Sequence, residues 1–149
     1  NYEKLITLDA DFSHNPKEIP KIIEYLQNYD FVIGSRYMRG GKNDQNFFRY
    51  LISFFGNKLI RIVLNIDHTE FTTSYRGFNL LKLKNFHLNK VNSQGYSFFM
   101  ETVFLINKYR FKSYEFPIYF KDRHLGVSKI SKIEIFRTIK NLILLYCKK

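Results

Sequence analysis

The chain has 149 residues, of which 45% are hydrophobic and 18% aromatic, enough for the core of one domain and too many for a disordered segment. It carries 24 Lys and Arg against 13 Asp and Glu, and this net charge of +11 favours anionic partners such as phosphates, nucleic acid or an acidic membrane surface. The single Cys147 excludes an internal disulfide framework and fits a reducing compartment. No stretch approaches the roughly 18 uncharged apolar residues typical of a membrane-spanning helix.

Strand and helix patterns alternate along the chain, which predicts an α/β fold. The predicted strands cover residues 5–8, 30–34, 74–81 and 114–120. Pro117 interrupts the last of them and therefore predicts an edge strand or a bulge. The predicted helices cover residues 16–27, 47–64, 97–109 and 130–147. Residues 35–44 predict a flexible basic loop, and residues 65–73 predict a second loop.

Two carboxylates, Asp9 and Asp11, follow the first apolar run, which predicts a buried strand. Side chains one residue apart on an extended chain point to opposite faces, so the pair converges on one ligand only if the backbone turns there. Residues 13–16 supply turn and helix-start residues directly afterwards. Carboxylates at the carboxyl end of a strand favour Mg²⁺ or Mn²⁺ bound to a diphosphate. The alternative interpretation is a solvated turn with two chance acids.

A second group of candidate residues offers donors to phosphate oxygens. Arg36 follows the strand at 30–34 almost directly, which favours a functional loop residue over a surface cation. Arg49 and Ser53 are four residues apart on a predicted helix and therefore share a face. A guanidinium suits phosphate better than an ammonium does, because it forms bidentate charge-assisted hydrogen bonds. The alternative for Arg49 is a solvated cation on the helix surface.

The order of several short motifs carries a family resemblance. The motifs are Leu8-Asp9-Ala10-Asp11, Ile33-Gly34-Ser35-Arg36-Tyr37, Arg49 with Ser53, Thr72-Thr73-Ser74-Tyr75-Arg76-Gly77-Phe78, Gly95-Tyr96-Ser97-Phe98 with Glu101, Pro117-Ile118-Tyr119-Phe120, and Asp122-Arg123-His124-Leu125-Gly126-Val127-Ser128-Lys129. Together they resemble the polyprenyl-phosphate (dolichol-phosphate) mannosyltransferase branch of the family 2 inverting glycosyltransferases. Each motif alone has low specificity, and their order and spacing carry the resemblance. It covers residues 5–132.

The resemblance implies a partial GT-A (nucleotide-diphospho-sugar transferase) fold, an open mixed sheet flanked by helices. Residues 1–130 are expected to form the C-terminal part of that domain, and the chain is expected to be a fragment lacking the upstream nucleotide-binding segment. Residues 131–149 predict a basic amphipathic helix. Such a helix either lies on a membrane surface or packs on the core with a solvated face.

The acidic motif takes its roles from the resemblance. Asp11 is implied to be catalytic, because the second acid of the family motif holds the metal on the donor diphosphate. Asp9 lies toward the nucleotide and sugar and is a second candidate metal ligand. Ser13 stands where some members have a Gln ligand, so it is the third candidate. Phe71 stands where the family usually has an Asp before its Thr-Ser motif, a departure that puts the role of that loop in question.

The basic residues take their roles in the same way. Arg36, Arg49 and Ser53 match positions that bind the acceptor phosphate. Arg123 matches a catalytic basic residue that closes over the donor diphosphate and the acceptor. Lys129 is a further candidate substrate-binding residue on the same stretch. The alternative for Arg123 and Lys129 is a solvated charged loop.

The implied activity is transfer of mannose from GDP-mannose to a polyprenyl or dolichyl phosphate, with inversion and with Mg²⁺ or Mn²⁺. A UDP-sugar donor carrying glucose or N-acetylglucosamine is the first alternative. The second is a non-catalytic basic module that binds membrane or nucleic acid. Nucleic acid is not an expected partner, because the lysines are spread along the chain and no nucleic-acid recognition motif is present. The expected location is the cytoplasmic face of a membrane.

Overall fold

The computed structural model describes residues 2–84, 86, 90–121 and 132–149. The strands are β1 (Lys4–Thr7), β2 (Phe31–Ser35), β3 (Lys42–Asn43), β4 (Arg76–Asn79), β5 (Ser113–Pro117) and β6 (Tyr119–Phe120). The helices are α1 (Ile19–Asn28), α2 (Phe47–Leu64), α3 (Tyr96–Lys108) and α4 (Lys132–Cys147). The predicted α/β fold with a mixed sheet flanked by helices is confirmed.

Four strands form the main sheet in the order β1-β4-β2-β5. Strand β4 is antiparallel to both β1 and β2, whereas β5 is parallel to β2. The carboxyl ends of β1, β2 and β5 therefore meet at one edge of the sheet, and β4 begins at that edge. In open α/β sheets this is the edge at which ligands bind.

Alternate residues of β2 face two different layers of helices. Phe31 and Ile33 pack into the larger core with α2, α3 and α4, whereas Val32 packs with α1 on the opposite face. All three side chains are fully buried. Gly77 of β4 makes room for α1, since a Cβ there would lie 2.5 Å from Ile22 Cγ2. The sheet is thus sandwiched between helices on both faces.

Two predictions for the strands are wrong in detail. The single strand predicted at residues 114–120 is two strands, because the chain leaves the main sheet at Pro117 and continues as β6. The predicted edge position is confirmed, as β5 is the outermost strand on its side of the described sheet. Residues 35–44 are not wholly a loop, since β3 lies within them and pairs with β6 in a separate two-stranded sheet.

The first strand was predicted to be buried, but it is partly exposed. Leu5 and Leu8 are 38% and 37% exposed. The reason is that β1 is the other outer strand of the described sheet and pairs only with β4 there. Its position still brings its carboxyl end, and the acidic motif that follows, to the ligand-binding edge.

Helix α2 has the predicted bounds because both ends carry strong local signals. The Asn46 side chain caps the N-terminus by accepting a hydrogen bond from the Phe48 N–H at 3.0 Å. Asn65 ends the helix in the left-handed conformation, with a φ of 54°. Helix α4 packs on the core through Leu142 and Leu145. None of the described helices combines the length and apolarity of a membrane span.

Candidate active site

The acidic motif forms a tight turn directly after β1. Phe12 has a φ of 62°, which reverses the chain between the two acids and the residues that follow. Asp11 Oδ1 accepts hydrogen bonds from the Ser13 N–H, at 3.1 Å, and from the Ser13 hydroxyl. The chain is bent from Ala10 to His14, so the backbone turns between the two acids, as convergence of their carboxylates requires. Ser13 is buried and serves as a partner of Asp11 in this arrangement.

Asp9 is held on the other side of the turn by β4 and its preceding loop. The Ser74 hydroxyl donates to Asp9 Oδ1 at 2.7 Å, and Thr7 Oγ1 donates to the Ser74 carbonyl at 2.5 Å. These bonds join the end of β1 to the start of β4. The carboxylate of Asp9 remains partly exposed and can still reach a ligand.

His14 is a buried neutral residue that supports the turn. Its Nδ1 accepts a hydrogen bond from the Asp9 N–H at 3.1 Å, and its Nε2 lies 3.3 Å from Thr73 Oγ1. Burial lowers the pKa of the imidazole, against the smaller opposing influence of Asp9. Because Nδ1 accepts the Asp9 amide proton, its distance of 3.9 Å from the Asp9 carboxylate does not mark an ion pair. His14 is thus structural.

Arg36 follows β2 as a buried cation with a fixed orientation. Its Nε donates to Glu70 Oε2 at 2.9 Å. The guanidinium carbon lies 4.7 Å from the centroid of the Phe120 ring and 5.2 Å from that of Tyr37. Burial lowers the pKa of Arg36, but the Glu70 carboxylate, together with Tyr37 and Tyr96, offsets this and the pKa is raised.

The outer edge of the same guanidinium makes only long contacts. Nη1 lies 3.4 Å from Gln45 Oε1, and Nη2 lies 3.5 Å from Thr72 Oγ1. Both distances are at the upper limit for a hydrogen bond. A phosphate oxygen would make shorter, charge-assisted bonds to these two nitrogens. Arg36 is therefore preorganised for an anion, as expected from its position after β2.

Glu70 is a residue of the candidate site that sequence reasoning missed, since it pairs with Arg36. It is fully buried, and its Oε1 accepts from the Thr72 N–H at 3.0 Å and the Thr72 hydroxyl at 2.8 Å. Phe71, which stands at the position of the usual Asp, is instead a fully buried core residue. The carboxylate is supplied one residue earlier in the chain. The sequence contains a signal that could have identified this residue, since Glu70 is the acid nearest to position 71, where the family usually has an Asp.

Glu115 of β5 holds the loop that carries Glu70. Its carboxylate accepts from the N–H groups of Thr69 and Glu70, each at 2.8 Å. Burial raises the pKa of Glu115, partly offset by these amide donors. On the other side of the loop, Asn57 Oδ1 accepts from the Phe71 N–H at 2.7 Å, and its Nδ2 donates to the Ser53 carbonyl at 2.9 Å. The loop is thus fixed between β5 and α2.

Arg76, in the Thr-Ser motif, is structural. Its guanidinium is almost fully buried, and its hydrogen bonds to described residues all go to carbonyl groups, those of Thr73, Phe71 and Phe99, at 2.7–2.9 Å. Burial lowers its pKa to about 9, so it stays charged at neutral pH. The residue ties the loop before β4 to α3.

A cavity of about 370 Å³ opens between this edge of the sheet and helices α2, α3 and α4. Its polar lining residues include Asp9, His14, Arg36, Gln45, Arg49, Ser53, Thr72, Thr73 and Ser74 and, on α4, Glu134 and Thr138. Its apolar walls include Ile52, Leu59, Ile60, Phe99, Ile135, Ile139 and Leu142. A cavity with both charged and apolar lining residues suits an amphiphilic ligand with a phosphate head.

The structure brings four of the predicted site residues together around this cavity: Asp9, Arg36, Arg49 and Ser53. The predicted common face of Arg49 and Ser53 is confirmed, and the Ser53 hydroxyl accepts from the Tyr37 hydroxyl at 2.6 Å. Burial raises the pKa of that Tyr37 hydroxyl to about 12, so it remains a donor. Asp11 and Ser13 lie on the adjacent turn. Arg123 and Lys129 lie outside the described residues.

The acidic turn fits a divalent cation of the Mg²⁺ type. Such ions are commonly held by one or two carboxylates, with water and substrate phosphates completing the shell. Asp9 and Asp11 offer this small set of oxygen ligands, and the neighbouring cavity is lined by two cations, Arg36 and Arg49. No group of three or more His, Cys, Asp or Glu forms a closed metal cage among the described residues. The donor set therefore suits a metal shared with a diphosphate.

Comparison with known proteins agrees with this geometry. The chain is 36% identical over 131 residues to the undecaprenyl-phosphate mannosyltransferase of Micrococcus luteus, covering 87% of this chain and 54% of that protein. It is 33% identical over 132 residues to the polyprenol monophosphomannose synthase of Mycolicibacterium smegmatis, covering 87% and 50%. The chain spans about half the length of these curated relatives. The family model named Glycosyl transferase family 2 matches residues 2–87, and the chain belongs to that family.

Proposed function

We propose that this chain is part of an enzyme that transfers a sugar from a nucleoside diphosphate donor to a polyprenyl phosphate, with inversion. The observation that carries the proposal is the cavity, whose lining combines Arg36, Arg49 and Ser53 with apolar side chains of α2, α3 and α4. The names of the two relatives favour mannose as the sugar and GDP-mannose as the donor. Transfer of glucose or N-acetylglucosamine from a UDP donor is the alternative that keeps the same mechanism.

The proposed reaction is a single displacement. A phosphate oxygen of the acceptor attacks the anomeric carbon, and the bond from that carbon to the donor diphosphate breaks with the electron pair leaving on the nucleoside diphosphate. The acceptor phosphate is already anionic at neutral pH, so no strong general base is needed. Catalysis then depends on positioning, which Arg36, Arg49 and Ser53 provide by holding the attacking phosphate in line.

Asp11, with Asp9 and Ser13 as further candidates, would hold a Mg²⁺ or Mn²⁺ ion at the acidic turn. When bound, that ion supplies charge stabilisation for the departing diphosphate. Arg123 is proposed to close over the donor diphosphate and acceptor, with Lys129 assisting substrate binding.

The acceptor implies that the enzyme works at a lipid surface. Helices α2 and α4 expose many large apolar side chains, among them Phe47, Phe48, Phe55, Ile62, Ile133, Phe136 and Ile143. Basic residues accompany those of α4, namely Lys132, Arg137, Lys140, Lys148 and Lys149. We propose that residues 131–149 continue the domain as a helix that both packs on α3 and contacts the cytoplasmic face of a membrane.

A direct assay tests the proposed function. The full reading frame that encodes this chain is supplied with labelled GDP-mannose, UDP-glucose or UDP-N-acetylglucosamine, a divalent cation and a polyprenyl phosphate. Mannose label is expected to enter the organic phase. Asp11→Asn should reduce this transfer at least about 100-fold, because it removes the carboxylate charge at the metal, while leaving the melting temperature almost unchanged.

Asp67→Asn is the matched control, since Asp67 is an exposed acid on the loop at 65–73 that pairs with Arg61 and is not among the residues that line the cavity. It should retain normal transfer. Near-normal turnover by Asp11→Asn would contradict the metal assignment. Label from a UDP donor would change the substrate and keep the mechanism. Absence of label from every donor would favour the non-catalytic binding module instead.

A further inference from the structure

Gly56 lies in the interior of α2, where glycine is unfavourable because it loses more backbone conformational entropy than any other residue when the helix forms. The backbone there is helical, so no left-handed φ calls for glycine. A Cβ built on Gly56 meets no described atom within 4 Å. Neither conformation nor packing among the described residues accounts for the missing side chain.

At two other positions of the chain, close packing explains why the residue is glycine. A Cβ on Gly34 would lie 2.8 Å from Ile118 Cγ2, and one on Gly77 would lie 2.5 Å from Ile22 Cγ2. In both cases glycine makes room for a neighbouring side chain. At Gly56 the space that a side chain would occupy is part of the cavity, because Gly56 is one of the lining residues.

The place of Gly56 along the cavity indicates what fills that room. Successive turns of α2 present Arg49, Ser53, Gly56 and Ile60 to the cavity. With a rise of about 1.5 Å per residue, Gly56 lies about 10 Å along the helix from Arg49. It therefore lies beyond Arg49 and Ser53 along α2. The cavity lining beyond that point includes apolar side chains of α4, Ile135 and Ile139, together with the polar Glu134 and Thr138.

We infer that Gly56 is a specificity-determining residue that admits the hydrocarbon chain of the acceptor between α2 and α4. The inference rests on the proposed function and adds the residue that sets the width of the cavity. A side chain at this position would project into the path of the chain, a few residues after the phosphate donors of the same helix. The first isoprene unit, next to the phosphate, would stop short of it.

The test compares Gly56→Leu and Gly56→Ala with wild type in the complete protein, using undecaprenyl phosphate and dimethylallyl phosphate as long and single-unit acceptors. Gly56→Leu should raise the KM for the long acceptor at least about tenfold and leave the KM for the short acceptor and the donor within about twofold. Gly56→Ala should give a smaller rise. Its melting temperature should be no lower than that of wild type, because alanine favours the helix.

Lys58→Leu is the matched control, since Lys58 is exposed on the same helix and does not line the cavity. An equal rise in KM for both acceptors, or none for either, would overturn the inference while leaving the proposed function intact. If the wild-type protein transfers no sugar, the proposed function fails on its own. In that case, the affinity for a fluorescent polyprenyl phosphate tests the inference about Gly56. Equal affinities of wild type and Gly56→Leu would overturn it.

Discussion

Arg36 illustrates how a buried cation is made ready for a ligand. Glu70 holds its Nε, two rings cover its faces, and the two Nη nitrogens make only long contacts. The ion pair removes the penalty of an isolated buried charge, and the rings limit the movement of the guanidinium. Binding of a phosphate therefore requires little reordering of the side chain.

Replacing Glu70 tests this arrangement. Glu70→Gln should lower the free energy of unfolding by about 3 kcal/mol or more, because it leaves the Arg36 cation buried without its counter-ion. Chemical denaturation measures the change. The double variant Arg36→Gln with Glu70→Gln should recover part of the loss. If the losses in free energy of unfolding caused by Arg36→Gln and Glu70→Gln simply add in the double variant, the ion pair between the two residues does not stabilise the fold.

The site residues predicted from sequence were those whose signal is local. Asp9 and Arg36 each follow an apolar run directly, so their place at the end of a strand could be read from the chain. Glu70 and Asn57 could not be assigned roles in this way. Their partners are Arg36, 34 residues away, and Phe71, 14 residues away, and only the folded chain brings them together.

Among the elements, helices were predicted better than strands because capping residues mark their ends. Asn46 and Asn65 define α2 to the residue, whereas short strands depend on partners elsewhere in the chain. Residues 114–120 show the difference. The sequence signal of Pro117 predicted an edge or bulge, but the transfer of β6 to a second sheet depends on β3, about 75 residues earlier.

Helix α4 carries the membrane proposal at the scale of an element. Its inner side packs on the core, yet Phe136 and Ile143 are 71% and 59% exposed. Replacing both with glutamate should reduce co-sedimentation with vesicles containing phosphatidylserine by at least roughly tenfold, since each side chain would lose about 1.5–3 kcal/mol of apolar burial. The fold should be unaffected, because neither residue is buried.

A control from the opposite face of the sheet keeps this vesicle experiment specific. Ile23→Glu places the same charge on α1, where the side chain is also partly exposed. It should leave vesicle binding unchanged. Equal binding by wild type and the α4 double variant would show that α4 does not contact the membrane.

The whole molecule combines a predictable architecture with an unpredictable strand order. Alternation of strands and helices predicted the α/β fold and the gathering of site residues at one edge. It did not predict that β4 would enter antiparallel between β1 and β2. That position follows from long-range pairing and from the contact of Gly77 with α1, which no local pattern expresses.

His68 makes the stability of the whole molecule sensitive to acid. It is 7% exposed, and neither ring nitrogen has a hydrogen-bond partner among the described residues. Burial lowers its pKa from 6.5 to about 4. Between these two pH values the unfolded chain binds more protons than the folded chain. The contribution of neutral His68 to the free energy of unfolding is therefore fully present above pH 6.5 and is lost as the pH falls toward 4. The loss should be roughly 3 kcal/mol.

Denaturation of wild type and His68→Leu at several pH values isolates this contribution, because the carboxylates titrate alike in both proteins. The free energy of unfolding of His68→Leu should fall less steeply between pH 6.5 and 4. Parallel curves for the two proteins would show that His68 is not the source of the acid sensitivity.

The insertion of β4 also has a consequence for folding kinetics. The acidic turn and Arg36 follow β1 and β2, which are not neighbours in the described sheet and are joined there only through β4. A nascent chain must therefore extend past Asn79 before the two halves of the site can be brought into register. Contacts between residues this far apart in sequence form slowly, so we expect the cavity to be among the last parts of the described fold to be completed.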